Sequence, residues 1–265
     1  MRIINEDFDL RKIAESGQTF RMNERENGVW DIYAADRYLR AKETSDGADL
    51  NCGEDEYHDF WENYFDMETD YKKIRQMIDK DDLFLKKSAE IGKGIRILRQ
   101  DPYEMLITFI ISQRKNIPAI KSCVEKICDM AGRKIEGCSA KTFPTAAELK
   151  RLSLEELKSC SLGYRAEYIY ETARKFDSKE YSVEMLEKLN DDALLESLEE
   201  LKGVGIKVAS CAMLFGFHRT DAFPIDVWMN RVLAEHYPDG FEFEKYRPYN
   251  GVMQQYLFAY RRGEN

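Results

Sequence analysis

The chain has 265 residues, 43% hydrophobic and 34% charged, a balance that excludes a disordered or collagen-like chain and suits a globular one. Its apolar stretches stay under ten residues, too short for a membrane span of about 20, and Met1–Asp7 lacks the apolar core of a signal peptide. The net charge of −9 argues at first against nucleic acid, but Ala41 to Asp70 holds eleven acidic residues against Lys42 alone, so that window carries −10 and the other 235 residues sum to +1. The acid is therefore local, a solvated face that need not touch a DNA-binding surface elsewhere.

In chain order, the first 50 residues read as strands. Asn27-Gly28 and Asp46-Gly47 are hairpin turn signals. Val29–Tyr33 and Tyr38–Ala41 around them are rich in aromatic and β-branched residues. The pattern predicts an antiparallel sheet through about Cys52. From Glu54 onward a helical period takes over. Asp101-Pro102-Tyr103-Glu104 combines a capping residue with proline at the first helical position, and Tyr103, Leu106, Ile107, Ile110 and Ile111 share one face. Ile117 to Ala131 forms a second stripe closed by Gly132. Ser153 with Glu156 caps another helix, and Asp191 to Glu200 is a further one with Leu194, Leu195 and Leu198 turned inward. The fold class is α+β: an antiparallel sheet domain with an acidic face over 1–89, then a helical domain over 90–265.

Six cysteines and three histidines are scattered without a Cys-x-x-Cys pair. That pattern argues against a zinc site and for a reducing, cytoplasmic setting. A chain this long buries roughly 70–75% of its unfolded surface and needs no disulfide. His58, His218 and His236 read as structural or surface residues.

The segment carrying chemistry is Leu201-Lys202-Gly203-Val204-Gly205-Ile206-Lys207-Val208-Ala209. An amphipathic helix precedes it and an apolar one follows, a helix-hairpin-helix over about 191–217. Gly203 and Gly205 permit a tight turn and a close backbone approach. The second helix, from Ile206 through Val208, then offers free N–H groups to a phosphate. The same glycines also suit an ordinary helical hairpin. Lys207 sits in the first turn of the second helix, where its charge opposes the dipole. That is either tolerated or the mark of an uncharged amine able to attack carbon. Asp226, nineteen residues later in Phe223-Pro224-Ile225-Asp226, falls where a new helix should start. It reads as an N-cap, or as a fixed anion that stabilises a developing sugar cation.

Leu201 to Asp226 resembles the helix-hairpin-helix and aspartate signature of base-excision DNA glycosylases. More narrowly, the chain resembles the 8-oxoguanine DNA glycosylase family. The resemblance runs in order through Ser16-Gly17-Gln18-Thr19-Phe20-Arg21, Gly94 to Pro102, Phe143-Pro144, Leu162-Gly163-Tyr164-Arg165-Ala166, and Tyr249 to Phe258, spanning nearly the whole chain. The hairpin alone marks the superfamily; the first and last blocks mark the subfamily. No four-cysteine iron–sulfur motif follows Asp226, unlike the endonuclease III-like branch.

The resemblance implies a bifunctional glycosylase and AP lyase for 8-oxoguanine in duplex DNA; one active site reading one lesion predicts a monomer, and no cofactor, metal or membrane partner is expected. It implies Lys207 as the nucleophile at C1′ and Asp226 as the stabiliser of the oxocarbenium-like transition state. The Gly17 carbonyl would accept the N7–H that distinguishes 8-oxoguanine from guanine. Phe258 and Cys211 would sandwich the flipped base, and Gln254 would bind its Watson–Crick edge. Tyr164 would wedge into the stack and Arg165 contact the orphaned cytosine. Gly203, Gly205 and Val208 would hold phosphate. Without the resemblance, Gly17 reads as a turn glycine, Phe258 and Cys211 as core, and Tyr164–Arg165 as a surface pair.

The chain also departs from the family. Where animal enzymes carry an Asn-Asn-Asn run, it reads Ser112-Gln113-Arg114-Lys115-Asn116, which puts Arg114 at the gap-filling position. A second cytosine-facing arginine is replaced by Ala119, and a histidine two residues after the aspartate by Trp228. Arg165 is then the only matched cytosine reader, which predicts relaxed selectivity for the opposite base. Three other readings stand beside the first: a related glycosylase for another damaged base, a non-catalytic DNA-binding module, and a lysine Schiff-base enzyme acting on small carbonyl compounds.

Overall fold

The structure, a computed structural model, describes residues 1–263. Strands β1 (Arg2–Ile4), β2 (Met22–Glu24), β3 (Val29–Ala34), β4 (Arg37–Thr44) and β5 (Gly47–Leu50) form one sheet in the order β1-β5-β4-β3-β2. β5 runs antiparallel to both neighbours, Ala48 facing Ile3 on one side and Glu43 on the other. Asn27 and Gly28 both take positive φ, as a two-residue hairpin turn demands. The β3–β4 turn uses Ala35 at φ +51 instead, without a glycine. One helix, α1 (Leu10–Glu15), interrupts the strand region. Asp9 caps it by accepting from the Lys12 N–H, and Leu10, Ile13 and Ala14 are buried.

Helices follow from Gly53 on. α2 (Glu54–Glu56) and α3 (Glu62–Tyr64) are joined by a π-helical turn over Tyr57–Trp61. Then come α4 (Tyr71–Gln76), α5 (Leu83–Ile91), α6 (Pro102–Ser112), α7 (Ile117–Ala131), α8 (Ala146–Leu149) and α9 (Leu154–Leu157). A π-helical turn, Lys158–Leu162, follows α9. α10 (Arg165–Asp177), α11 (Val183–Glu187), α12 (Asp191–Glu199), α13 (Ile206–Phe215), α14 (Val227–His236), α15 (Phe243–Tyr246) and α16 (Asn250–Gly263) complete the chain. The expected caps form: Asp101 accepts from the Glu104 N–H at 2.7 Å, and Ser153 with Glu156 makes a full capping box. Leu194 and Leu198 are buried on α12 while Leu195 is only half-buried.

The chain divides into two compact units that do not follow a single cut in the sequence: residues 1–31, 39–99 and 218–263 form one, and 32–38 with 100–217 the other. In the first, α16 packs on α5 and α14, with Trp61, Phe65, Leu39 and Tyr256 fully buried. In the second, α13 packs on α6 and α12, and α10 on α8. No helix among the described residues is long and apolar enough to cross a membrane.

The first unit is organised around buried polar groups as well as apolar ones. Arg96, 1% exposed, donates to the carbonyls of Phe65, Asp7, Asp66 and Thr69, and its guanidinium lies 4.4 Å from the Tyr71 ring centroid. Asp66 accepts from the Tyr71 hydroxyl at 2.9 Å and from Arg99 at 2.8 Å. His218 Nε2 stands 3.4 Å away from the same carboxylate. Burial is the largest influence on that carboxyl and pushes its pKa up, but His218, Arg99 and Tyr71 together hold it below the usual carboxylate value. A buried charge this well paired is costly to break.

Candidate active site

In the second unit, the hairpin joins α12 to α13. Gly203 takes φ +79, and a Cβ there would lie 2.1 Å from the Tyr168 ring, so both backbone angle and space demand glycine. Its carbonyl accepts from Gln113 Nε2 at 3.0 Å. Gly205 starts α13 with extended backbone and no side-chain cap, and a Cβ on it would meet nothing within 4 Å. The first N–H groups of α13 therefore have neither intrahelical partners nor a cap from Gly205. That is the arrangement that attracts an anion to a helix start. The Val208 side chain is buried, so Val208 offers its backbone alone.

Lys207 is half-buried in the first turn of α13. Its Nζ lies 5.4 Å from the Phe109 ring centroid, and Phe109 stacks on Phe215 at 5.5 Å. The amine thus rests against an aromatic floor. Cys211, one turn further on the same face, is buried. Ahead of α10, Tyr164 is 48% exposed. Arg165 is buried: it donates to the carbonyls of Leu162 and Gln113 and lies 4.4 Å from the Tyr164 ring centroid. These two bonds engage two of its five N–H donors. Arg114 is exposed, at φ +52.

In the first unit, Gly17 and Phe258 meet. Gly17 takes φ +81, and its Cβ position lies 3.6 Å from Phe258 Cε1. Gln18, fully buried, holds the glycine in place. It donates to Ser16 Oγ and to the Arg96 carbonyl, both at 2.8 Å, and accepts from the Leu98 N–H. Asp226 caps α14, accepting from the Met229 N–H at 2.8 Å, and is half-buried. Gln254 on α16 is buried and donates to the Pro224 carbonyl at 3.1 Å, so in this structure it braces the loop that presents Asp226. Asn250 and Arg247 brace the same loop through Asp221. Ile225, Val227 and Trp228 beside Asp226 are exposed.

Sequence reasoning named Lys207 and Asp226 but missed the groups that hold the rest. Gln18, Arg96 and Asp66 carry no periodic signal. Only their place inside the blocks around Gly17 and Ile95 could have hinted at a buried role for the first two. His58 pairs with Glu62 on the surface, and His236 stacks on Phe84 at 3.5 Å. Among the described residues no group of His, Cys, Asp or Glu could hold a metal ion.

A five-stranded sheet, a set of helices, and a glycine hairpin leading into a lysine-bearing helix have the architecture of a helix-hairpin-helix DNA repair glycosylase. The family models agree: residues 1–106 match the 8-oxoguanine DNA glycosylase N-terminal domain, and residues 107–240 the HhH-GPD superfamily of base excision DNA repair proteins. The crystal structure of a Clostridium acetobutylicum 8-oxoguanine glycosylase/lyase, in complex with double-stranded DNA containing cytosine opposite 8-oxoG, is 36% identical. It superposes with a TM-score of 0.91 over 98% of this chain and 93% of that one. An N-glycosylase/DNA lyase of Saccharomyces cerevisiae is 31% identical over 89% of this chain and 70% of its own length. A probable N-glycosylase/DNA lyase of Methanothermobacter thermautotrophicus is 30% identical over 76% and 73%. The chain belongs to the 8-oxoguanine DNA glycosylase family and is, by that membership, a DNA N-glycosylase/lyase.

Proposed function

We propose that the protein flips 8-oxoguanine out of duplex DNA, excises it through a lysine Schiff base and nicks the strand, with relaxed preference for the opposite base. Flipping is required because the anomeric carbon and the base edge are inaccessible inside the stack, and it costs a few kcal/mol. The observation that carries the reading is the contact between Gly17 and Phe258. Two segments from opposite ends of the chain meet where a carbonyl could test N7 of a purine stacked on the ring. Guanine has a lone pair at N7 and would face the carbonyl's lone pairs; 8-oxoguanine presents a proton instead.

In this reading the Lys207 nitrogen attacks C1′ with its lone pair, the bond to N9 breaks, and the base leaves with a proton given up by that nitrogen. The C1′–O4′ bond then breaks as C=N forms, O4′ taking the remaining nitrogen proton, and the ring opens to an imine. Loss of a proton from C2′ then expels the 3′ phosphate by β-elimination. Asp226, held by its own helix start, faces the positive charge that grows on the sugar. The open start of α13 takes a backbone phosphate, a contact blind to sequence. Relaxed opposite-base preference rests on Ala119, which leaves Arg165 as the only matched cytosine-reading arginine; a lost bidentate contact removes about 1–3 kcal/mol of discrimination.

Borohydride trapping on an 8-oxoguanine duplex tests the chemistry. A covalent adduct that disappears in Lys207→Gln supports it, and an adduct that persists refutes the assignment. Single-turnover excision opposite each of the four bases tests the preference; a sharp bias toward cytosine would contradict it.

A further inference from the structure

Five residues of the second unit close a ring of contacts around the hairpin. Gly203 lies flat on the Tyr168 ring, with no room for a Cβ. Tyr168 meets the Tyr164 ring edge-on at 5.6 Å. Tyr164 lies under the Arg165 guanidinium at 4.4 Å. Arg165 donates to the main-chain carbonyl of Gln113. The Gln113 side chain donates back to the Gly203 carbonyl at 3.0 Å, and to Ile110 at 3.1 Å. Lys115 ties the same loops once more, donating to the Ser161 carbonyl at 3.1 Å. Gln113 and Arg114 leave the end of α6 in non-helical geometry, so the fold of this loop depends on such bonds rather than on a helix.

We infer that Gln113 and Tyr168 are positioning residues that lock the Tyr164–Arg165 wedge to the phosphate-gripping hairpin, so that seating the hairpin on DNA sets the depth and register of the wedge. The inference rests on the function proposed above and assigns roles to two residues that would touch neither the lesion nor the sugar. A closed ring transmits position because no member can shift without straining two others. Each link alone is weak, whereas a cycle of packed rings and directional bonds has few alternative arrangements.

The test compares two substrates in single-turnover excision. In one, 8-oxoguanine is paired with cytosine and must be forced out of the stack. In the other it faces an abasic site and is already unpaired, so the wedge matters less. Gln113→Leu and Tyr168→Leu should each slow the paired duplex about tenfold and the abasic-opposed duplex by no more than about twofold. Tyr164→Ala should show the same pattern, and adding Gln113→Leu to it should cost little more. Equal losses on both substrates would reduce the two residues to general structural roles. Losses that multiply in the double variant would show that they do not act through the wedge. Should the unaltered protein excise 8-oxoguanine from neither duplex, the proposed function itself fails. The ring is then judged by hydrogen exchange, where unchanged rates at residues 161–166 in Gln113→Leu would refute it and faster exchange would uphold it.

Discussion

Two helix starts, one in each compact unit, use the same backbone physics in opposite ways. α13 begins at Gly205 with no side-chain cap and leaves its N–H groups open, with Lys207 in the first turn. α14 begins at Asp226, whose own carboxylate accepts from the third residue of the helix. The first start offers its positive end to an outside anion; the second occupies it with an internal one. What stands behind them differs too. An aromatic floor of Phe109 and Phe215 underlies Lys207. The unit that carries Asp226 is built on buried charge, with Asp66 and Arg96 among its members. A helix end is thus a general device, and the one residue placed at it decides whether its N–H groups stay open or fix a carboxylate.

The largest expected effect comes from removing the amine. Lys207→Gln should lower strand nicking by about 10³-fold or more and abolish borohydride trapping, while duplex affinity, owed to the open helix start, persists. Loss of affinity along with activity would break the distinction between the two roles of α13.

Next is the charge hub of the first unit. Asp66→Asn should destabilise the protein by about 3 kcal/mol at pH 7, because it strands buried partners. The folded carboxyl lies below its unfolded value. Its contribution is therefore whole at neutral pH and fades as pH falls below about 4, through the folded value. Chemical denaturation of both proteins at stepped pH should show the gap closing toward acid. A gap that widens there would reverse the sign assigned to Asp66.

Asp226→Asn separates the two tasks of the second helix start. Asparagine caps as well as aspartate, so the melting temperature should hold while single-turnover base release slows about 10²-fold. Unchanged base release would remove Asp226 from the mechanism. Asp226→Ala should add a stability loss of about 1 kcal/mol. Gly203→Ala has the smallest expected consequence for chemistry but a plain one for binding. The Tyr168 ring must move and the backbone is strained, so stability should drop by about 1–3 kcal/mol and undamaged-duplex affinity should weaken, as read by anisotropy.

How much of this was legible beforehand varies by element. Asn27-Gly28 announced its turn because only a few residues adopt positive φ without cost, whereas Ala35 at the neighbouring turn announced nothing. α1 was hidden by its brevity: six residues give the helical period less than two turns in which to show. Lys207 and Asp226 could be found because each is defined by its immediate neighbours, a glycine turn and a helix start. Arg165 could be named but not posed, since its burial depends on the Gln113 carbonyl, fifty-two positions away in the chain.

The amino-acid order by itself determined the Asn27-Gly28 turn, the caps, the amphipathic faces and the placement of Lys207 and Asp226 at helix starts, because each follows from interactions within a few residues. Only the tertiary structure decided that Gly17 rests on Phe258, that Gln254 braces the loop before Asp226, and that Arg96 and Asp66 are buried with partners. Those facts join segments far apart in the chain, and the packing energy that selects such contacts is not written in any local pattern.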